Sequence, residues 1–486
     1  MGSLHQIPAP SESASRIRLS EVISALSYAL DITEGQPEGH SIRSAVIGMR
    51  IAEEIHLSIE ERSALFYALL LKDLGCSSNA ARVCSLFKAD DREIKHGLKT
   101  VNWTSLPRSL LYAARNAASR SSPVRRAAHV VLLALKGPSS AKPLFEIRCE
   151  RGASIARLLG FSELTAQAIR SLDEHWNGQG HPSRLIGDEI PLLARILGLA
   201  QTVEVFFRAY GIDAAYQMAD DRRGKWFDPA LVAALVSIRR DSAFWERLEN
   251  EDLERQLNDL EPEESVLLAS EDRLDRVAEG FARVIDAKSP WTFRHSEGVA
   301  DIAVGVAEVL GLGPRDLSTI RRAALLHDIG KLGISNLVLD KPGRLTDDER
   351  REMQRHPELT QRILERVACF NYFAKMASAH HERLDGRGYH LGLSAEQISL
   401  GTRILTVADI FEAMSAERPY RPPQPGEKVL EAMARDVGTA LSPECFEALK
   451  TFVERRGWIP TVKGRDLAVA SEACALEIEP SLQATV

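Results

Sequence analysis

Residues 323–331 read Ala-Ala-Leu-Leu-His-Asp-Ile-Gly-Lys, an apolar run that an imidazole and a carboxylate interrupt. Burying His327 and Asp328 without partners would be unfavourable, and a divalent metal could satisfy both side chains at once. Adjacent residues on a helix diverge by about 100°, so the carboxylate could bridge two ions while the imidazole serves one. Lys331 follows on the same face as Asp328, where it could neutralise a phosphate oxygen. For any one of these residues alone, an ordinary buried histidine or salt bridge is the alternative.

The sequence on both sides of this run has helical periodicity. Ile302, Val306 and Val309 fall at helical spacing, the breaks at Gly and Pro are short, and alternating strand-like runs are scarce. The pattern therefore predicts an all-α protein. Its 486 residues exceed what one hydrophobic core usually organises, which favours two domains.

Charge and cysteine usage exclude several classes of protein. The net charge of -7 gives no broad basic surface, so long nucleic acid is not an expected partner, whereas a small anionic substrate needs only a local cluster of Arg and Lys. The six Cys form no CxxC pair, which is typical of reduced thiols. There is no signal-peptide pattern and no apolar run of roughly 18 residues. We therefore expect a cytoplasmic protein without a membrane segment.

The chain contains an internal repeat whose pieces keep their order. An offset of 255 residues places His40 on His295 and residues 70–76 on residues 325–331. An offset of 208 places residues 177–182 on residues 385–390. Because the offsets differ by 47, the first copy is predicted to carry an insertion, which we place around Arg115 to Lys142 as a loop or extra helices.

A last matching piece fixes the end of the repeat. Residues 224–229 match residues 438–443 at an offset of 214, so the second copy holds about six extra residues around residues 418–423. The expected divisions are a flexible N-terminus at 1–17, a first copy at 18–246, a charged linker at 247–272 that forms a solvated helix, a second copy at 273–460 and a tail at 461–486.

The chemistry-bearing residues gather in the second copy. His380, His381 and Glu382 precede a glycine-rich turn at residues 385–389, which would let backbone approach a ligand closely. The whole series of candidate ligands is His295, His327, Asp328, His356, His380, His381 and Asp409.

With the segments 327–331, 380–389 and 418–421, this series resembles the HD-GYP family of cyclic dinucleotide phosphodiesterases. The resemblance implies an all-α fold of tandem HD-superfamily helical domains, of which the first is degenerate. It implies that one metal is held by His295, His327, Asp328 and Asp409, and a second by Asp328, His356, His380 and His381. With mixed His and carboxylate ligands and no Cys, iron or manganese is favoured over structural zinc.

The resemblance also implies the substrate and the residues that act on it. Members hydrolyse cyclic di-GMP to the linear dinucleotide and often on to GMP, and some prefer mixed cyclic GMP-AMP; cyclic di-GMP is the expected substrate here. Two cations suit this chemistry, because they neutralise phosphodiester oxygens that would repel a nucleophile. The implied catalytic residues are Asp328 and Lys331. The implied substrate-binding residues are Lys331, Arg387, Gly388, Tyr389, Arg418, Tyr420 and Arg421.

The sequence departs from the family pattern at three positions. His390 replaces the signature Pro, and this puts the substrate in question more than the catalysis. Glu412 stands where members commonly have Asp. Trp291 stands where members with three metals carry Glu, which argues against a third metal.

The first copy has lost most of these residues. Lys72, Arg148 and Gln201 align with His327, His356 and Asp409. The other losses are Cys76 for Lys331, Leu172 for His380 and Asp173 for His381, so only His40 and Asp73 survive. Cations would repel a metal, and Lys72 could pair with Asp73 or Asp173 instead. We expect no metal there and favour a scaffold, for a homodimer or a signalling partner, over a ligand sensor.

Two other functions are compatible with the sequence. An HD-type nucleotide phosphohydrolase with another substrate would use the same ligands. A non-catalytic cyclic dinucleotide binding protein would fit His390 and the decayed first copy, although the intact seven-ligand set favours an enzyme.

Overall fold

The computed structural model describes residues 17–103, 105–118, 122–136, 142–250, 253–262, 266–292, 294–416 and 423–456. The regular structure of these residues is helical, with only isolated β-bridges besides, so the prediction of an all-α fold is confirmed. Among the helices described, none has the length and apolar character needed to span a membrane.

The described residues of the first half form fourteen α-helices. They are α1 (Leu19–Thr33), α2 (His40–Glu54), α3 (Ile59–Leu71), α4 (Ala80–Phe87), α5 (Asp91–Leu98), α6 (Leu106–Asn116), α7 (Pro123–Lys136), α8 (Lys142–Leu158), α9 (Glu163–Arg170), α10 (Leu192–Tyr210), α11 (Ile212–Asp221), α12 (Pro229–Ser237), α13 (Ser242–Asn250) and α14 (Leu253–Leu260). Helices α6 and α7 reach into or span the stretch where the insertion is predicted.

In the part of the second half that the structure describes there are ten α-helices and several short 3-10 segments. The helices are α15 (Glu271–Asp286), α16 (His295–Val309), α17 (Pro314–Leu326), α18 (Asn336–Leu339), α19 (Asp347–Met353), α20 (His356–Glu365), α21 (Asn371–Ser378), α22 (Leu400–Ser415), α23 (Gly426–Met433) and α24 (Pro443–Arg456). A 3-10 segment at Ile329–Gly333 follows α17 and carries Lys331.

Each half is organised around one long helix. In the first half α10 packs against α2, and in the second half α22 packs against α16. Ser399 caps α22, because its side chain accepts a hydrogen bond from the Thr402 N–H at 3.2 Å. One hydrophobic cluster includes residues of both halves, among them Leu26 and Leu325. The halves therefore share a continuous core, which fixes the position of the site in the second half.

Polar contacts also join the halves, at the start of α5. The Asp91 carboxylate accepts hydrogen bonds from Lys288 Nζ at 3.3 Å and from the Asn336 N–H at 2.9 Å, and all three residues are buried. Next to it, the Arg92 guanidinium donates to the carbonyl oxygen of Gly333. Helix α1 packs on the segment Ile329–Gly333. The first half thus touches the segment that carries Lys331.

The segment 247–272 differs from the single solvated helix that the sequence predicts. Helix α13 ends at Asn250 and α14 ends at Leu260, and Leu257 is fully buried. Glu261 is buried as well, and its carboxylate accepts hydrogen bonds from Ser20 Oγ at 2.8 Å and Tyr67 Oη at 2.7 Å. The charged composition suggested an exposed segment. This carboxylate is buried instead, because hydroxyl groups on α1 and α3 donate hydrogen bonds to it.

Candidate metal centre

The structure brings all seven predicted ligands together at the ends or in the middle of helices. Two of them begin helices, four follow the ends of helices, and Asp409 lies within α22. In chain order they are His295 at the start of α16, His327 and Asp328 after α17, His356 at the start of α20, His380 and His381 after α21, and Asp409.

Asp328 lies at the centre of the cluster. Its Oδ2 atom is 3.4 Å from His295 Nε2 and 3.3 Å from His327 Nε2. Its Oδ1 atom is 3.4 Å from His356 Nε2 and 3.7 Å from His380 Nε2. One carboxylate therefore faces two sets of imidazoles, each with a different oxygen, which is what a carboxylate shared by two cations requires.

The remaining ligands complete two groups around this carboxylate. Asp409 Oδ1 lies 3.3 Å from His295 Nε2 and 3.7 Å from His327 Nε2. In each group the ligand atoms lie within 4.8 Å of one another. The first group is His295, His327 and Asp409, and the second is His356, His380 and His381.

Backbone carbonyls orient three of the histidines. The Nδ1 atoms of His327, His356 and His380 bond the carbonyl oxygens of the residues three positions earlier, at 2.6, 2.7 and 2.7 Å. This leaves each Nε2 atom directed into the cluster. His327 Nε2 and Asp328 Oδ1 are buried and have no hydrogen bond of good geometry within the described part of the chain. Two such atoms facing a common space fit a cation.

The charges in the cluster also suit metal binding. Burial lowers the pKa of His356 to about 3 and lowers that of His380 as well, so both imidazoles are neutral and able to act as ligands. Burial alone would raise the pKa of Asp328, but the charges of His327 and Lys331 outweigh it and hold that pKa well below its usual value. Lys331 Nζ contacts the Asp328 carboxylate and remains partly exposed.

Glu412 has a role that the sequence did not reveal. It is buried one turn after Asp409 on α22, and its carboxylate bonds Nδ1 of His295. This contact turns Nε2 of His295 toward Asp328 and fixes its tautomer. The spacing of three residues from Asp409, on the same helix face, was the only signal of this role in the sequence.

Apart from Lys331, the predicted substrate-binding residues fall into three groups. Tyr389 stacks on His381, with ring centroids 4.9 Å apart, and Gly388 packs so closely on Glu382 that a Cβ atom would lie 2.4 Å from its Cα. The Arg387 side chain is exposed, and the backbone N–H of this residue donates a hydrogen bond to the Asp385 carboxylate. Arg418, Tyr420 and Arg421 lie outside the described residues.

The aligned positions of the first half hold ion pairs instead of imidazoles. Lys72 Nζ lies 2.5 Å from the Asp73 carboxylate and 3.1 Å from Ser41 Oγ. Arg148 pairs with Asp173. Asp73 and Asp173 are thus each paired with a cation that aligns with a histidine of the second half.

A smaller group of possible ligand atoms is formed by Glu34, Asp73 and Cys76. Lys99 Nζ lies 3.3 Å from Glu34 and 3.5 Å from Asp73, while Lys95 lies 3.4 Å from Glu34. Burial raises the pKa of Cys76 well above its usual value, so its thiol stays protonated. Paired carboxylates and a protonated thiol make a poor cation site.

Several backbone and side-chain contacts recur at positions that the sequence offsets align. Glu174 accepts from three successive N–H groups at residues 183–185, and Glu382 does the same at residues 391–393. A Cβ atom at Gly75 would lie 1.8 Å from the Arg148 carbonyl oxygen, and one at Gly330 would lie 1.9 Å from that of His356.

Comparisons with known proteins agree with this geometry. A family profile described as HD domain matches residues 144–231 and 279–444. The 3'3'-cGAMP-specific phosphodiesterase 3 of Vibrio cholerae is 46% identical over 432 residues, which cover 89% of this chain and 94% of that protein. A cyclic di-GMP phosphodiesterase of Thermotoga maritima is 38% identical over 180 residues, 37% of this chain and 49% of that protein. A crystal structure of a cyclic GMP-AMP specific phosphodiesterase of V. cholerae aligns with a TM-score of 0.60 at 41% identity, covering 90% of this chain and 98% of that one.

Proposed function

Because the chain belongs to the HD-GYP family of HD-domain phosphodiesterases, we propose that it hydrolyses 3'3'-cyclic GMP-AMP to the linear dinucleotide. It is a metal-dependent hydrolase that acts on a cyclic dinucleotide. The sequence alone favoured cyclic di-GMP. The mixed nucleotide is preferred here because the similarity to the cGAMP-specific relative extends through both halves, whereas that to the cyclic di-GMP enzyme covers about a third of the chain.

The proposal assigns two divalent ions to the seven-residue cluster. His295, His327 and Asp409 would hold one ion, His356, His380 and His381 would hold the other, and Asp328 would be shared between them. Such ions supply positive charge to the phosphate oxygens and activate the attacking water. Iron or manganese is the metal that the donor set favours. The position of Asp328, with one oxygen toward each group, is the observation that carries this assignment.

Other residues would bind and orient the substrate. Lys331 can offer its partly exposed ammonium group to a phosphate oxygen while its contact with Asp328 keeps it beside the ions. The Tyr389 ring, held against His381, gives a flat surface on which a base or ribose could rest. The ionised Asp328 and the oriented His295 depend in turn on His327, Lys331 and Glu412.

We further infer that the first half is a degenerate copy of the second. The recurring contacts of Glu174 and Glu382, and of Gly75 and Gly330, support this inference, because unrelated helical domains would not repeat them at constant offsets. The ion pairs of Lys72 and Arg148 are then substitutes for lost ligands.

The test is to incubate the purified full chain, loaded with iron or manganese, with 3'3'-cyclic GMP-AMP and with cyclic di-GMP, and to resolve the products by chromatography. We expect a kcat/KM at least about tenfold higher for the mixed nucleotide, a difference of about 1.4 kcal/mol. The Asp328→Asn variant serves as the inactive control. Preference for cyclic di-GMP would contradict the substrate, and metal-loaded protein that hydrolyses neither would favour a binding protein.

A further inference from the structure

The first half contains a cavity of 740 Å³. It lies between α4, α5, α6 and α7 on one side and α8 and α10 on the other. Arg148, Asp173 and Gln201, which align with ligands of the metal centre, are among its lining residues. The cavity therefore occupies the place of the active site in the half that lacks the ligands, and its volume is that of a small-molecule site.

One wall of the cavity is aromatic. Trp103 stacks on Phe145 with ring centroids 4.9 Å apart, and Phe145 stacks on His181 at 5.0 Å. His175 stacks on Trp226 at 4.1 Å, and Trp103 lies 4.7 Å from His175, so the five rings form one continuous aromatic cluster. All five residues line the cavity. An aromatic cluster in the lining of a cavity favours a ligand with a planar ring.

Another part of the cavity lining is charged. Lys95 and Lys99 share the carboxylate of Glu34, whose pKa they hold at about 2 although burial alone would raise it. Arg148 pairs with Asp173. The lining of the cavity contains six cations, Lys95, Lys99, Lys142, Arg148, Arg184 and Arg195, and three carboxylates, Glu34, Asp173 and Glu174. The excess positive charge favours a ligand that carries an anionic group.

Three polar atoms of lining residues have no hydrogen-bond partner among the described residues. Nδ1 of His175, Oδ1 of Asn79 and Oε1 of Gln201 are buried and form no hydrogen bond within the described ranges of the chain. Each belongs to a residue that lines the cavity. Burial lowers the pKa of His175 to about 3, so its ring is neutral. A heteroaromatic ligand with its own donors and acceptors would satisfy these atoms, which otherwise remain unpaired at a free-energy cost.

We propose that this cavity is a second, non-catalytic nucleotide site, which binds a purine nucleotide. The fused rings of the base lie against the aromatic wall, where they cover more of it than a single ring would. The phosphate points to Lys99 and Arg148, and the ring nitrogens and exocyclic groups meet His175, Asn79 and Gln201. The site does not depend on the reaction proposed for the second half.

The test measures binding to the full chain that carries Asp328→Asn, so that the metal centre neither turns over nor holds ions. Equilibrium dialysis is done with AMP and with GMP, and with adenosine and inorganic phosphate as the two halves of the ligand. We expect one site per chain for at least one nucleotide, and affinity weaker by about tenfold or more for adenosine and for phosphate, because each lacks one set of contacts.

Substitutions in the cavity locate the site. Trp103→Leu and Arg148→Met should each weaken nucleotide binding by about tenfold or more, since stacking and a charge-assisted hydrogen bond are each of that size. Lys99→Gln replaces Arg148→Met if the latter fails to fold by circular dichroism. Arg157→Met is the matched control, because Arg157 is exposed, pairs with Glu163 and lies outside the lining. No binding of either nucleotide, or binding that the cavity variants leave unchanged, would overturn the proposal.

Discussion

The two halves contain the same histidine and glutamate pair in different surroundings. Nδ1 of His40 bonds Glu204 in the first half, and Nδ1 of His295 bonds Glu412 in the second. Burial lowers the pKa of His40 to about 4. For His295 burial acts in the same direction, but the carboxylates of Glu412, Asp328 and Asp409 outweigh it and raise the pKa well above its usual value. An oriented histidine is therefore not enough to define a metal site.

The two halves differ in the source of the positive charge that compensates the central aspartate. In the first half the buried Lys72 compensates Asp73 permanently, whereas in the second half Asp328 contacts the partly exposed Lys331 and also faces four imidazoles. A buried ammonium group and a bound metal ion can each neutralise a buried carboxylate, but only the metal ion leaves coordination positions open to a substrate. Equal substitutions in the two halves should therefore have different consequences.

The largest difference is expected for the central carboxylate. Asp328→Asn should remove both ions and lower kcat by about a thousandfold or more, because losing an outer partner of a ligand already costs roughly 10- to 100-fold. Elemental analysis, kinetics and circular dichroism together measure metal, turnover and fold. Two ions per chain left in the folded variant would show that Asp328 is not needed to hold them and would break the comparison.

The equivalent change in the first half should affect stability instead. Asp73→Asn leaves Lys72 buried without its counter-ion and should lower the free energy of unfolding by roughly 3–5 kcal/mol, with metal content unchanged. Chemical denaturation measures the loss. Adding Lys72→Met should recover most of it, and failure of this double variant to recover would mean that Asp73 acts through other contacts.

A smaller effect is expected for the glutamates that orient the histidines. Glu412→Gln should lower metal affinity and kcat/KM by roughly 10- to 100-fold, since the carboxylate orients a ligand without binding the metal. Glu204→Gln is the matched control and should leave both quantities unchanged. Metal titration and kinetics on the two variants decide this, and equal losses in both would show that the first half contributes directly to the metal centre.

The smallest effect is expected at the signature turn. His390→Pro should preserve metal content, because His390 lies outside both ligand groups, and should change KM by less than about tenfold. Proline fixes φ and removes a backbone donor next to Tyr389, so the change should differ between the two cyclic dinucleotides. KM values for both substrates measure it. Loss of metal would instead make His390 a ligand.

The residues of the candidate metal centre could be chosen from the sequence because local patterns mark them. Imidazoles and carboxylates within apolar helices, such as His327 and Asp328, must have buried partners, and the motif spacing indicated which residues those are. The role of Glu412 could not be predicted, because its contact with His295 spans 117 residues of sequence. Glu261 was misjudged for the same reason, since its partners Ser20 and Tyr67 are 241 and 194 residues away.

The cavity of the first half was not foreseen either. His175 and His181 would pass for ordinary loop residues in the sequence, because only packing brings them to Trp103 and Phe145. A sequence shows which residues are aromatic, but not which of their rings will pack together in the lining of a cavity. The predicted roles of Arg418 and Arg421, the homodimer or signalling partner and the cytoplasmic location stay predictions.

The buried contact between Asp91 and Lys288 has a consequence for how the molecule unfolds. Burial lowers the pKa of Lys288, and the carboxylate that compensates this charge belongs to the other half of the chain. Separating the halves would leave an uncompensated ammonium group beside α15, and it would also expose the apolar core that they share. Neither half then has a stable intermediate of its own. On heating, loss of the metal centre and melting of the first half should coincide in one cooperative transition.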